Sequence, residues 1–272
     1  MIALLTGIFG ALIGSFLNVV IYRVPAGRSI VRPASACGSC GHVVRGYDNI
    51  PVVSWIVLRG KCRDCGSRIS VRYPLVELGS AIFFGVVAAR FVPAILAANS
   101  GTDVAGEIVA FVAFLYLAAI SLALALIDID VHRLPNVIVL PGYIVGAVLL
   151  GAASVLTGDW SALLRAVIGC VALGLLYLAL AVARPGGMGF GDVKLAGVLG
   201  LFLGWLGWGP LAVGAFLAFF LGGLFGLAIM IVRRGGRKTA IPFGPWMLAG
   251  AWLGILIGTP VAAGYLSLFA LA

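Results

Sequence analysis

The stretch IVAFVAFLYLAAISLALALI, from Ile108 to Ile127, decides the class of fold. It contains no charged residue, and a helix of about 20 apolar residues spans the hydrocarbon core of a bilayer. The whole chain has the same character, with 62% hydrophobic residues, 10% charged residues and a mean hydropathy of +1.19. An ordinary soluble domain carries about 25% charged residues. The composition therefore predicts a membrane protein and excludes an ordinary soluble one.

Seven further apolar runs accompany this stretch. The eight runs are Ile2–Tyr22, Leu75–Ala97, Ile108–Ile127, Val137–Leu156, Leu163–Ala183, Leu195–Trp208, Leu211–Val232 and Ile241–Ala262. Most have the roughly 17–25 residues that a spanning helix needs. The sixth run is short, and Gly209-Pro210 after it predicts a tight turn or a broken helix. The fold class predicted is an all-α polytopic membrane protein with about eight transmembrane helices.

Lysine and arginine predict the orientation, because cytoplasmic loops carry an excess of these residues. Sixteen of the 18 fall into four groups: Arg23 to Arg72, Arg133, Arg184 with Lys194, and Arg233 to Lys238. Eight spans and an outside N-terminus place all four groups on the cytoplasmic side. The net charge of +9 is explained by these cytoplasmic lysines and arginines, which set the orientation and attract the headgroups of the lipid bilayer. It does not indicate nucleic-acid binding.

Residues 23–72, after a first helix at 1–22, are the only stretch long enough for a soluble subdomain. They contain two Cys-x-x-Cys pairs, Cys37 with Cys40 and Cys62 with Cys65. In the cytosol this pattern predicts a tetrahedral zinc site. Disulfides and unligated thiols are the alternatives, and the reducing compartment disfavours disulfides.

The predicted zinc is structural, because four thiolates leave no open position for water or substrate. About fifty residues cannot bury enough apolar surface to fold unaided, so the metal would stabilise the subdomain. Turns through Gly38, Gly41 and Gly66 are expected beside the cysteines. Cys170 stands alone in an apolar span and is expected to pack there.

Aspartates lie beside the ends of two apolar runs, in a chain that has only nine acidic residues. Asp128 and Asp130 follow Ile127, and they cannot share a helix face, because successive residues rotate by about 100°. Pro135 and Asn136 mark a break soon afterwards. Ionisable groups at membrane depth are costly and indicate functional sites. Spacing alone does not choose between the two aspartates.

Asp192 follows a glycine-rich loop with Gly186, Gly187, Gly189 and Gly191, and it is expected to open a helix. One interpretation is that Asp192 only caps this helix. The other pairs it with Asp128 near the cytoplasmic face. Two carboxylates within a few Å share one proton, so one can act as a general base on water while the other polarises a carbonyl group.

Several longer stretches resemble the type IV prepilin peptidases, a GxGD class of membrane aspartic protease. The stretches that carry the resemblance are Gly14–Pro25, Tyr47–Trp55, Leu58–Cys62, Ile69–Glu77 and Gly189-Phe-Gly-Asp192. In that family the first catalytic aspartate lies seven residues before the proline of a Leu-Pro-Asn/Asp element, which selects Asp128. The second is the aspartate of Gly-x-Gly-Asp, here Asp192.

The resemblance implies an enzyme of the bacterial inner membrane that cleaves the leader of type IV prepilins and pseudopilins at the cytoplasmic face. It also implies N-methylation of the new N-terminus with S-adenosylmethionine, an activity associated with residues 23–72, while 73–272 would form the peptidase domain. No sequence signature identifies the residues that bind S-adenosylmethionine.

Five further residues have expected supporting roles, and two of them have a second interpretation. Gly189 and Gly191 are expected to support the second aspartate, and Lys194 and Glu77 could position substrate or tune the carboxylates. Lys194 and Glu77 could equally be ion-paired structural residues. Asn18 is expected to make an interhelical hydrogen bond.

Two other functional classes compete with proteolysis. A secondary transporter would use the acids as a proton relay, but its sites lie near the bilayer midplane in repeated halves. A non-enzymatic scaffold docking through the zinc subdomain would tolerate changes of both aspartates. The position of the acids at cytoplasmic span ends favours the protease.

Overall fold

The computed structural model describes residues 1–184, 188–233 and 242–269, and this part of the chain is all-α. The helices are α1 Ile2–Arg23, α2 Val53–Val57, α3 Arg72–Ala97, α4 Gly101–Val131, α5 Asn136–Thr157, α6 Trp160–Ala183, α7 Phe190–Leu206, α8 Trp208–Arg233 and α9 Gly244–Ser267. Apart from α2, every one of these helices overlaps one of the eight predicted spans, so the predicted fold class is confirmed.

Seven helices of the described chain are long and apolar enough to cross a membrane, namely α1, α3, α4, α5, α6, α8 and α9. The eighth, α7, has 17 residues, which at 1.5 Å per residue gives about 25 Å. Every residue from Leu195 to Gly204 is buried. Helix α7 packs against α5, α6, α8 and α9, so it is an interior helix that is apolar on all sides.

The first compact unit comprises residues 1–96 with 115–123. Within it α1 packs closely on α3 through Gly10 and Gly14, which are four residues apart. A Cβ atom at Gly14 would lie 2.8 Å from the Cα of Glu77, so only glycine allows this approach. The expected hydrogen bond of Asn18 is present, since its Nδ2 donates to the carbonyl of Tyr73 at 3.2 Å.

The second compact unit comprises residues 97–114 with 124–272. Two helix pairs dominate it, α6 with α7 and α8 with α9. In α9 the glycines at 250, 254 and 258 face α8, and a Cβ at Gly258 would lie 2.6 Å from the Cα of Pro210. Small residues at a four-residue spacing therefore set these close contacts, as is usual for helices in membranes.

The chain breaks mostly where the sequence indicates. Helix α4 ends at Val131, and its C-cap residue His132 has a positive φ of 52°. Helix α5 begins after Pro135. The break after α7 is at Gly207, with φ 144°, so the prediction of a turn at Gly209-Pro210 was two residues late. Pro210 lies in the first turn of α8, where its missing N–H has no helical partner to lose.

Candidate active site and metal site

The first carboxylate of interest is that of Asp128, close to the C-terminal end of α4. Its side chain is buried, at 5% exposure, whereas Asp130 two residues later is exposed. The Oδ2 atom accepts a hydrogen bond from the backbone N–H of Gly244 at 3.0 Å. The structure therefore distinguishes the two aspartates, which the spacing of the sequence does not.

Gly244 is the residue of this site that sequence reasoning missed. It is the first residue of α9, and a Cβ atom there would lie 2.7 Å from Asp128 Oδ2 and 3.2 Å from Leu134 Cδ2. Any other residue would push the carboxylate away from the N–H. The run Pro242-Phe243-Gly244-Pro245 before an apolar segment is a helix-start signal that could have identified it.

The second carboxylate is that of Asp192, in the first turn of α7. Gly189 is the N-cap of this helix, and its N–H donates to Asp192 Oδ2 at 3.2 Å. Asp192 is thus the third residue of the helix, bonded back to its start, and not the N-cap itself. Gly186 and Gly187 of the predicted glycine loop lie outside the described residues.

Gly189 and Gly191 differ in how closely they are packed. A Cβ at Gly191 would lie 3.1 Å from the Cβ of Leu134, whereas one at Gly189 would meet its nearest atom, Asp192 Oδ2, at an ordinary 3.6 Å. Leu134 also borders Gly244. This leucine therefore contacts the starts of both α7 and α9. The glycine N–H groups at these two helix starts bond the carboxylates of Asp192 and Asp128.

The two carboxyl groups are anchored in the same way. Each uses Oδ2 to accept from a glycine N–H, and the described residues provide no protein hydrogen bond to either Oδ1. Asp192 lies in the first turn of α7, and Asp128, in the last turn of α4, bonds the first residue of α9, so each carboxylate meets the N–H groups of a helix start, where the dipole favours an anion. Each acid is therefore fixed through one oxygen only.

Lys194 lies two residues further along α7, and its contacts are with α5. Its Nζ donates to Asn136 Oδ1 at 3.0 Å, and its carbonyl oxygen accepts from the hydroxyl of Tyr143 at 2.6 Å. Both contacts tie the start of α7 to α5. The structure thus gives Lys194 a contact that positions a helix, and within the described residues it makes no hydrogen bond to either aspartate.

The four cysteines of residues 23–72 form one cluster, with all Sγ atoms within 4.8 Å of one another. Cys37 Sγ and Cys65 Sγ are 3.8 Å apart. A tetrahedral zinc with Zn–S bonds of about 2.3 Å requires neighbouring sulfurs at about that separation. The cluster therefore fits a four-thiolate zinc site.

The two cysteine pairs have the same backbone geometry. Cys37 N–H donates to His42 O and receives Gly41 N–H on its carbonyl, while Cys62 does the same with Ser67 and Gly66. Gly41 and Gly66 have φ near 70°, which only glycine adopts without cost. Gly38 lies in the turn that the Gly41 N–H closes on the Cys37 carbonyl, so the expected turn is present, although the φ of Gly38 is not positive.

Ion pairs brace the subdomain across its two halves. Arg63 bonds Asp48, with Nη2 to Oδ1 at 2.6 Å, and Arg45 bonds Asp64 at 2.8 Å. The hydrogen bond from Arg63 lowers the pKa of the Asp48 carboxyl below its usual value. These pairs neutralise part of the positive charge of residues 23–72.

Glu77 lies near the start of α3, in the first unit. It is buried at 9% exposure, and its Oε2 accepts the N–H of Val52 at 2.7 Å. Val52 has a φ of 62°, which is rare for a β-branched residue. The sequence contained no signal for this contact.

Two family models match the chain. One, described as Bacterial Peptidase A24 N-terminal domain, matches residues 8–91. The other, described as Type IV leader peptidase family, matches residues 115–231. The matches together include the four cysteines, Glu77 and both aspartates. No solved structure matches the chain significantly.

Curated relatives match over nearly the full length. A prepilin leader peptidase/N-methyltransferase of Pseudomonas putida is 37% identical over 97% of this chain and 93% of its own length. Proteins of the same name from Pseudomonas aeruginosa and Neisseria gonorrhoeae are 36% and 34% identical, over 97% and 92% of this chain and 93% and 88% of their own lengths.

Proposed function

Because this chain belongs to the type IV leader peptidase family, peptidase A24, and is an enzyme of the prepilin leader peptidase/N-methyltransferase kind, we propose that Asp128 and Asp192 form its peptidase centre. The observation that carries the proposal is the paired anchoring of the two acids. Each carboxylate is fixed through one oxygen by a glycine N–H and keeps its second oxygen available.

The proposed reaction is hydrolysis of a peptide bond by water. One carboxylate, ionised, removes a proton from the water as its oxygen attacks the scissile carbonyl carbon. The other, protonated, donates a hydrogen bond and then its proton to the carbonyl oxygen. Collapse of the tetrahedral intermediate breaks the C–N bond, and the amine leaves with a proton from the dyad. The two acids share one proton and act as a unit, so neither role is tied to one residue.

The substrate class is a prepilin or pseudopilin with a short basic leader. Such a protein presents an apolar helix within the bilayer and its leader outside it. Asp128 is near the end of α4 and Asp192 near the start of α7, so both lie at helix ends and not at mid-span. With the N-terminus outside, these ends face the cytoplasm, where the cut would occur. The lysine and arginine distribution supports this orientation.

The second activity is methylation of the amine that cleavage exposes. S-adenosylmethionine, when bound, supplies an electrophilic methyl group. The neutral amine forms the new N–C bond, the S–C bond breaks with its electron pair left on sulfur, and the amine releases a proton to water. The enzyme's tasks are then to hold the donor and to exclude competing nucleophiles.

The four cysteines, Cys37, Cys40, Cys62 and Cys65, would hold a structural zinc. Support comes from the sulfur separations and from the near absence of a core, since only Ser54 and Gly60 are buried between residues 23 and 72. A metal would replace the missing hydrophobic stabilisation. The zinc would take no part in either reaction, because four thiolates fill its coordination sphere.

The test is mass spectrometry of a purified prepilin incubated with the enzyme in detergent. Wild type should remove the leader. Asp128→Asn and Asp192→Asn should each slow cleavage by about 10²-fold or more, the usual size of an acid–base contribution. Asparagine keeps an oxygen for the glycine N–H, so both variants should fold, which circular dichroism can check.

Asp130→Asn is the matched control for Asp128→Asn. It makes the same change two residues away at an exposed site of the same helix, and it should cleave near the wild-type rate. Substantial cleavage by either dyad variant would rule out the two-aspartate mechanism. Addition of S-adenosylmethionine should add one methyl mass to the cleaved product.

A further inference from the structure

A cavity of about 410 Å³ lies in the first compact unit, at the base of the cysteine subdomain. Asn18 of α1, Trp55 of the subdomain and Glu77 of α3 contribute to its wall. Pockets that hold small organic ligands have volumes of roughly 300–1,000 Å³. Asp128 and Asp192 belong to the other unit and do not line the cavity. Peptide hydrolysis therefore does not account for it.

Glu77 is a buried carboxylate with one oxygen in use. Its Oε2 accepts the Val52 N–H, and the described residues offer no protein hydrogen bond to its Oε1. Oε1 is not among the fully buried atoms that lack a partner, so this oxygen is open to a hydrogen-bond donor in the cavity that Glu77 lines. A ligand with a hydroxyl group or a positive charge would supply the missing partner.

Backbone strain holds this carboxylate in place. Val52, with φ 62° and ψ −49°, is the centre of a γ-turn in which Val53 N–H donates to Pro51 O at 2.6 Å. Turns of this hand are strained and uncommon, above all at a β-branched residue. Such strain persists where surrounding structure enforces it, typically at binding sites. Here it aims the Val52 N–H at Glu77.

The same cavity offers a fixed aromatic face and groups of both charges. The indole of Trp55 is held by a hydrogen bond from its Nε1 to the carbonyl of Ile69 at 3.2 Å. The ion-paired Asp48 and Arg63 also line the cavity. A ligand that suits this wall has a flat ring, hydroxyl groups or a cation, and a carboxylate.

We propose that this cavity binds S-adenosylmethionine, with Trp55 against the adenine ring and Glu77 as the acceptor for a ribose hydroxyl or amino group. S-adenosylmethionine combines an aromatic base, a diol, a sulfonium and an amino-acid carboxylate, which are the groups that this wall can receive. Arg63, which already bonds Asp48, is a cation on this wall that a ligand carboxylate would share. The inference rests on the proposed methyltransferase function and assigns it a site.

The test is binding of radiolabelled S-adenosylmethionine to the full-length, zinc-containing enzyme by equilibrium dialysis. Glu77→Gln keeps an oxygen for the Val52 N–H but removes the charge, and it should weaken binding by about ten-fold or more, as expected for a hydrogen bond to a charged group. Zinc content and helix content should stay at wild-type levels. Asp103→Asn, the same change at a residue that does not line the cavity, should bind as wild type.

A second measurement uses the unaltered protein, in case Glu77→Gln fails to fold. Ultraviolet cross-linking of the labelled donor, followed by peptide mapping, should place the label within residues 45–77. Equal binding by Glu77→Gln, or label confined to the second unit, would overturn the assignment of the cavity. If the enzyme still adds a methyl mass in that case, the methyltransferase function stands and only the site is wrong. If the wild-type enzyme neither binds the donor nor methylates, both the methyltransferase function and the assignment of the cavity are wrong.

Discussion

At the scale of single residues, the two aspartates owe their positions to backbone N–H groups. A hydrogen bond from an N–H to a charged group contributes about 1.5–3 kcal/mol, and a helix N-terminus adds about 0.3–1 kcal/mol for an anion. Asp128 bonds the first residue of α9, and Asp192 bonds the N-cap of α7. Backbone groups hold position better than long side chains, so both acids are oriented before substrate arrives.

The residue-scale prediction concerns Gly244. Gly244→Ala would place a Cβ 2.7 Å from Asp128 Oδ2 and force the carboxylate to move. We expect the cleavage rate to fall by about ten-fold or more, equivalent to about 1.4 kcal/mol in the activation free energy. The rate is measured by mass spectrometry of prepilin over time.

Gly223→Ala in α8 is the control for this substitution. A Cβ at Gly223 would meet no atom within 4 Å, and alanine favours a helix, so this variant should cleave normally. Wild-type activity of Gly244→Ala would show that the Gly244 N–H does not position Asp128.

At the scale of elements, the cysteine subdomain is held by turns, ion pairs and its four thiols, and it lacks a hydrophobic core. Its hydrogen bonds include those of buried Ser54, whose Oγ donates to Tyr47 O and accepts from Ile50 N–H. Such a network positions loops but leaves little apolar burial to oppose chain entropy. A bound metal is therefore the main source of stability that we expect for this element.

The element-scale prediction concerns Cys62. Cys62→Ser removes one of four ligands, so we expect zinc per chain to fall from about one to well below one, because a structural site needs all four. Proteolysis within residues 23–72 should become faster. Elemental analysis and peptide mapping measure the two effects.

Cys170→Ser is the matched control for the zinc measurement. Cys170 lies in α6 and is not part of the cysteine cluster. This variant should keep one zinc per chain. A full zinc content in Cys62→Ser would show that the metal ligands are different from those proposed.

At the scale of the whole molecule, the two proposed activities fall in different compact units. The cysteine cluster and the cavity lie in the first unit, and both aspartates lie in the second. We therefore expect Asp192→Asn, which should not cleave, to methylate a pilin supplied without its leader at about the wild-type rate. Mass spectrometry with labelled donor measures the transfer. Loss of methylation in this variant would show that the activities depend on one another.

A second whole-molecule prediction concerns orientation. Alkaline phosphatase is active only outside the cytoplasm, so a fusion after Asp159, between α5 and α6, should be active. A fusion after His132, between α4 and α5, should be inactive. The reverse pattern would place the aspartates on the outer face and contradict the proposed cleavage in the cytoplasm.

The sequence by itself determined the membrane class, the eight apolar helices and the four cysteines. These follow from composition, run length and residue spacing, which are local properties of a chain in a bilayer. It also marked Asp128 and Asp192 by resemblance, although the spacing of Asp128 and Asp130 left both open.

Only the tertiary structure showed that Asp128 is the buried aspartate and that the Gly244 N–H bonds it. Only the tertiary structure showed, likewise, that Glu77 accepts the N–H of Val52 in a strained turn. Gly244 is 116 residues from Asp128, and Glu77 is 25 residues from Val52. Contacts across such separations depend on which helices pack together, and packing of mostly apolar helices depends on the shapes of opposing surfaces. Hydropathy carries no information about those shapes, so the partners of the acids emerge only when the helices are assembled.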